Sequence, residues 1–186
     1  MPKGLDVAGT DYATSIGLSV IVEVAEKMLP DHEVNDAVFR LLVLVLEQIR
    51  GGAPIWLPLS YDLFWMVRLG GFLPDLVRCG QCGNGLDLEA EAVFQPILEG
   101  LRCRSCRPSG GDVLTSAARK LALILARRRL TELEPAAHEW ALQAPDLRRF
   151  LVQQIEAHVE TRLQSWPLLA PLEGELPVRI PAASTP

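Results

Sequence analysis

Four cysteines in two identically spaced pairs constrain this chain more than any other feature. They are Cys79-Gly80-Gln81-Cys82 and Cys103-Arg104-Ser105-Cys106, separated by twenty residues. A Cys-x-x-Cys step turns the backbone tightly enough to aim two sulfurs at one point. Two such steps supply the tetrahedral thiolate set that zinc favours, with bonds of about 2.3 Å. Gly80 and Gly83 allow backbone amides to approach the sulfurs and stabilise their charge. Arg78, Arg102, Arg104 and Arg107 stand beside the ligands in sequence and offset the negative charge of a zinc ion with four thiolates. Two disulfides are an alternative that needs an oxidising compartment, and a redox-active Cys-x-x-Cys is another that needs a βαβ setting. Structural zinc is the expected state. Four cysteines leave no open coordination position for water or substrate, and no nucleophile and base can be paired elsewhere, so the chain is not expected to be an enzyme.

The flanks are helical. Over residues 11–29 the apolar residues Ile16, Val20, Val24 and Met28 recur every four, widened by Leu18, Ile21, Val22 and Ala25, until Pro30 and Asp31 intervene. Asn35 is placed to cap a second helix carrying Phe39, Leu42, Val43, Leu46 and Ile49, which Gly51-Gly52 ends. A loop with Pro54 and Pro58 follows. Ser60 is then read as the cap of a short third helix over 61–69, with Leu63, Phe64 and Val67 facing inward. Alternating polarity over 86–94 and a turn at Glu99-Gly100 predict two short strands between the cysteine pairs. A helix starting at Thr115 or Ser116 carries Leu121, Leu125 and Leu130. Thr131 to Glu134 forms a capping-box signal for a short piece toward Leu142. Pro145 suits the first turn of a last helix with Leu147, Leu151, Ile155, Val159 and Leu163.

The predicted fold is therefore mainly α, a helical bundle with an inserted four-cysteine zinc ribbon built on a short β-hairpin. Residues 1–10 are expected to be disordered, 11–77 and 112–165 to form the helical domain, 78–111 the ribbon, and 166–186 a loose proline-rich tail. The leading residues lack the order of a secretory signal, and the longest apolar run, 39–49, is broken by Arg40 and Glu47. That run is also far short of the roughly 20 residues of a membrane span, so the expected setting is intracellular.

Net charge is −5, but it is unevenly placed. Residues 78–129 hold nine bases against five acids, whereas 1–77 hold five against ten and 130–186 four against eight. Arg102, Arg104, Arg107, Arg127, Arg128 and Arg129 are thus candidate phosphate contacts. The run 127–129 can equally complement the dipole of a preceding helix. His32, His138 and His158 stand at no ligand spacing. The glycine pairs lack a phosphate-loop context, and Trp56, Trp65, Trp140 and Trp166 receive no role.

Taken in order, "RLGGFLPDLVRCGQCG" (68–83), the twenty-residue spacer, "GLRCRSC" (100–106) and "LRRFLVQQIEAHVETRLQS" (147–165) resemble the bacterial RecO family of DNA repair proteins over about residues 11–165. The resemblance implies a recombination mediator that acts with RecR and RecF to load the recombinase RecA onto single-stranded DNA coated by single-strand-binding protein. It implies zinc at Cys79, Cys82, Cys103 and Cys106, an apolar groove for the acidic tail of single-strand-binding protein, and a cytoplasmic, nucleoid-associated setting. Family members begin with an OB-fold, a main DNA-binding surface, whereas this sequence starts directly at the helices. Single-strand binding is then expected to be weakened and partner binding to persist. The alternative function is a zinc-stapled scaffold that touches no nucleic acid.

Overall fold

The computed structural model of the chain describes residues 12–29, 35–95, 98–133 and 144–172. It opens with helices α1 (Tyr12–Met28), α2 (Asp36–Arg50) and α3 (Trp56–Leu69). α2 starts as the sequence predicts: the Asn35 side chain accepts from the Val38 amide at 3.1 Å, satisfying a donor that the first turn cannot. It stops where the Gly51 amide returns to the Glu47 carbonyl and Gly52 adopts a φ of 91°. α3 departs from expectation by beginning five residues early. Ser60 is not its cap but an interior residue, fully buried, with its hydroxyl donating to the Trp56 carbonyl at 2.6 Å. Pro58, read as loop, falls in the first turn, where a missing amide costs nothing.

α3 is the centre of the helical part, with Leu59, Leu63, Phe64 and Val67 entirely buried and α1, α2 and the late helix α6 (Ala144–Val159) packed around it. The approach of α1 depends on Gly17, because a methyl group there would stand 2.5 Å from Ile55 Cγ1. Gly17→Ala should therefore cost about 1–3 kcal/mol of overpacking, more than the roughly 1 kcal/mol gained in helix propensity. Calorimetry should show a lower thermal midpoint; an unchanged one would mean that Ile55 gives way freely.

The apolar residues of α2 divide into two stripes. Val38, Leu41 and Val45 face the core, whereas Phe39, Val43 and Leu46, from which the sequence predicts the helix, are 68, 39 and 41% exposed. Val22 of α1, counted in the inward stripe, is likewise exposed.

The sheet has three antiparallel strands, not two: β1 (Ala92–Gln95), β2 (Leu98–Arg102) and β3 (Asp112–Leu114), in the order β2-β1-β3. Val93 pairs with Arg102 and Ala92 with Leu114. Glu99-Gly100, expected as the turn, lies within β2. Phe94 meets Phe150 of α6 edge-on at 4.8 Å between ring centres, which docks the sheet on the helices. α4 (Ser116–Leu125) is capped by the Thr115 hydroxyl, which accepts from the Ala118 amide at 3.2 Å. It ends at Leu125 rather than running to Leu130, and Arg127–Arg129 form a turn into α5 (Leu130–Leu133). Thr131 is inside α5, and the rest of the piece expected toward Leu142 lies outside the described residues.

α6 buries Leu147, Leu151 and Ile155 as expected but stops at Val159; Leu163 is buried beyond its end. The segment expected to hang loose instead continues as α7 (Trp166–Leu169) and a 3-10 turn (Ala170–Leu172), with Leu169 fully buried. Residues 173–186 and 1–11 lie outside the described residues. The turn before α7 is pinned to α1 by Glu23, whose carboxylate accepts from the Gln164 amide at 2.7 Å, the Ser165 amide at 2.8 Å and the Ser165 hydroxyl. Burial alone would raise the Glu23 carboxyl, but these donors and Lys27 hold it below its ordinary value.

Two buried ionisable groups meet at α3. Arg148 of α6 is 1% exposed and donates to the Trp56 carbonyl at 3.2 Å and the Ser60 hydroxyl at 2.9 Å. Asp62 of α3 is completely buried with no hydrogen bond to either carboxylate oxygen among the described residues, and burial raises its carboxyl to about 8.

Candidate metal centre

The first cysteine pair is formed by a short backbone loop. Asp75 Oδ1 accepts from the Val77 and Arg78 amides at 2.8 and 3.1 Å, turning the chain after Pro74. Arg78 then bridges Gly85, and Leu86 N donates to Val77 O at 2.7 Å, closing the base of the loop. Inside it Cys79 N reaches Asn84 O and Gly83 N returns to Cys79 O, both at 2.9 Å, with Gly83 at φ +72°. The second pair follows β2 and wraps a single 3-10 turn, Arg104–Cys106, with Cys106 N on Cys103 O at 3.0 Å.

The two loops meet through backbone contacts. Gly80 N donates to Leu101 O at 2.8 Å and Cys103 N donates to the sulfur of Cys79 at 3.4 Å. A residue that sequence reasoning assigned only to a turn makes this possible: Gly100 has φ +81°, and a Cβ there would stand 3.3 Å from Gly80 Cα. Its position three residues before a Cys-x-x-Cys was the available signal. Gly100→Ala combines a disfavoured backbone with a tight contact. It should weaken metal retention about tenfold in competition with a colorimetric chelator; unaltered retention would show that the loops can meet without this approach.

The four sulfurs of Cys79, Cys82, Cys103 and Cys106 all lie within 4.8 Å of one another, with Cys82 and Cys103 at 3.9 Å. A tetrahedron with bonds of about 2.3 Å has edges of about 3.8 Å, so the donor set fits one cation after slight contraction. All four cysteines are free thiols in this structure, and their common convergence on one point is the arrangement that a four-thiolate metal site requires. Cys79 is fully buried, Cys82 exposed and the other two intermediate. Before a cation binds, the thiols compete for protons. Burial would raise Cys79, but the amides of Cys82, Cys103 and Gln81 prevail and lower it to about 6, whereas hydrogen bonding with Cys103 and Cys82 pushes Cys106 up to about 12. Four closed sulfur ligands can hold a metal as a structural staple; they offer no position for a reacting molecule.

The loop between the first pair and β1 is tied to α4. Arg119 is fully buried and donates to the Asp87 carbonyl and, at 3.5 Å, to the Leu86 carbonyl, while Lys120 Nζ meets Glu89 Oε2 at 2.6 Å. The local excess of basic residues is thus smaller on the surface than in the sequence. Among the candidate phosphate contacts, Arg102 is only 9% exposed, while Arg104, Arg107, Arg127, Arg128 and Arg129 are exposed. Arg104 and Arg107 line a hollow with Ala90, Glu91 and Val93, and Arg107 lies 3.6 Å from Glu91. Arg127–Arg129 stand at the far end of α4 from β3, about 15 Å along its axis. His158 is stacked on Phe72 at 4.1 Å, a helix-end packing role, and the other two histidines lie outside the described residues.

A small sheet and four converging thiols, close enough to hold a metal ion, inserted between helices define a mainly helical protein with a four-cysteine insert. The chain belongs to the RecO family. The family model described as "Recombination protein O C terminal" matches residues 9–167. The DNA repair protein RecO of Koribacter versatilis is 42% identical over 167 residues, covering 89% of this chain and 66% of that protein. The RecO proteins of Anaeromyxobacter sp. strain K and Cutibacterium acnes are 31% and 32% identical, covering 76% and 54% of this chain. The chain spans about two thirds of the Koribacter relative and 56% of the Anaeromyxobacter one. No solved structure matches it. No helix among the described residues is long and apolar enough to cross a membrane.

Proposed function

We propose that this chain is a non-catalytic DNA repair and recombination factor of the RecO kind, held together by one structural zinc ion and acting in the cytoplasm by binding single-stranded DNA and partner proteins to help load recombinase. The observation that carries the reading is the match along almost the whole chain to RecO proteins, joined to exposed arginines at the second cysteine loop and in the turn after α4. Zinc is favoured over harder cations because all four donors are thiols. Arg104 within and Arg107 beside the second cysteine loop, and Arg127, Arg128 and Arg129 beyond α4, contact phosphates through their guanidinium groups without reading sequence. Single-strand-binding protein and RecR are the partners that the family relationship suggests.

The test is fluorescence anisotropy of the zinc-loaded chain on labelled single-stranded DNA across a salt series. Binding should weaken with salt, and replacing the five arginines by alanine should flatten the logarithmic salt slope by about 0.7 for each phosphate that is no longer neutralised. Absence of salt-sensitive DNA binding, together with absence of binding to single-strand-binding protein and RecR, would overturn the proposal. The internal use of Arg119 and Lys120, with a net charge of −5, favours a second reading as a scaffold; partner binding without any DNA signal would select it.

A further inference from the structure

The outward stripe of α2 has the pattern of a helix that pairs with its own copy. Asp36, Phe39, Val43, Leu46 and Arg50 follow one another at spacings of three, four, three and four, the repeat of a two-helix seam. The three apolar members are exposed by 68, 39 and 41%, while a separate stripe, Val38, Leu41 and Val45, already holds the helix to the core. The outward stripe is therefore not needed to attach α2 to its own chain. A Phe, a Val and a Leu exposed in line form an apolar surface that a helix with a second apolar face does not otherwise require.

The charges around this seam are self-complementary in only one direction. We infer that α2 packs antiparallel against α2 of a second copy of this chain about a two-fold axis near Val43. In that arrangement Phe39 lies against Leu46 of the second copy, and Asp36 at one end meets Arg50 at the other. Arg40, exposed on the same flank, faces Glu47. Each opposite-sign pair occurs twice by symmetry. A parallel pairing would set Asp36 against Asp36 and Arg50 against Arg50, so charge selects the antiparallel one. The helix dipoles add to the preference, since the positive start of each α2 comes to the negative end of the other. A 15-residue helix is about 22 Å long. The contact is therefore smaller than the roughly 1,200 Å² at the low end of stable complexes, and the pair is weak and concentration-dependent.

Sedimentation velocity of the zinc-loaded chain over a concentration series tests this. Dimer should accumulate with concentration, and Phe39→Glu should abolish it. Asp36→Arg and Arg50→Asp should each weaken self-association about tenfold, because both end pairs become repulsive. An equimolar mixture of those two variants should regain it. The arginine introduced in one chain then meets the aspartate introduced in the other, and the Arg50 kept by the first meets the Asp36 kept by the second. Circular dichroism melts should show all three variants folded, as every altered side chain is on the surface. A role for Asp36 and Arg50 confined to the helix dipole predicts no recovery on mixing. A chain that remains monomeric up to roughly 0.5 mM, where even a weak pair assembles, overturns the pairing and leaves the stripe to a different protein. So does a dimer that Phe39→Glu or the mixture leaves unchanged.

Discussion

Cys79→Ser should leave the purified chain without the proposed zinc and loosen the cysteine loops and the sheet beside them. Cys79 is the sulfur held most deeply: it is buried, its amide is bound by Asn84 O and it accepts from Cys103 N, so its loss also releases the second loop. Apparent binding energies of structural zinc in small peptides reach about 10–16 kcal/mol, so on the proposed zinc assignment the loss of one ligand is costly. Hydrogen exchange should show protection lost there and retained in α3 and α6, and elemental analysis should fall from one zinc per chain to none. Cys82→Ser, at the exposed ligand, should lose less. One zinc per chain retained by Cys79→Ser would remove the metal assignment, as would sulfurs found paired with each other in freshly isolated protein.

Asp62→Asn should raise stability at pH 7 by up to about 4 kcal/mol and remove a slope from the pH dependence of unfolding. The Asp62 carboxyl is raised by burial from its ordinary 3.8 to about 8. In the interval between those values the folded chain holds a proton that the unfolded chain has lost. The contribution of Asp62 to stability is therefore complete below about pH 4, falls as pH rises through the interval, and levels off above about 8. Three pH units at about 1.36 kcal/mol each give the size of the penalty at neutrality. Arg148 does not relieve it: its guanidinium donates to the Trp56 carbonyl and the Ser60 hydroxyl, and neither oxygen of Asp62 receives a hydrogen bond among the described residues. Urea midpoints at pH 5 and pH 8, with zinc fixed, should separate widely for the wild type and converge for the variant. The cysteine centre also titrates in this range, so the difference between the two proteins is the quantity that counts. Equal slopes would show that a rearrangement or a water solvates the carboxylate.

The caps of α2 and α4, the end of α2 and the convergence of the cysteines were legible because single residues determine them. Asn35 and Thr115 cap, Gly52 turns, and two Cys-x-x-Cys pairs converge. Pro58 misled because it marks the first turn of a helix as readily as it marks a loop, and only the packing of Trp56 and Ser60 against Arg148 chooses between them. β3 has three residues, too few for a period, and exists because Val93 and Phe94 need a second neighbour. The orientation of α2 was unreadable for a different reason. It carries two apolar stripes, and a sequence does not say which of them meets the core.

The contacts of Glu23 with Gln164 and Ser165 join residues more than 140 positions apart, and those of Arg148 with the start of α3 span about 90. The helical part is thus assembled from the two ends of the chain around an insertion whose own bonds reach only 24 positions. During synthesis, at roughly 5–20 residues per second, α1, α2 and α3 leave the ribosome several seconds before the segment that completes them. The cysteine loops can close in that interval and bring their four thiols together. The nascent chain then awaits α6 and α7 with the cysteine loops already formed, a scaffold on which the two parts of the helical bundle are subsequently brought together.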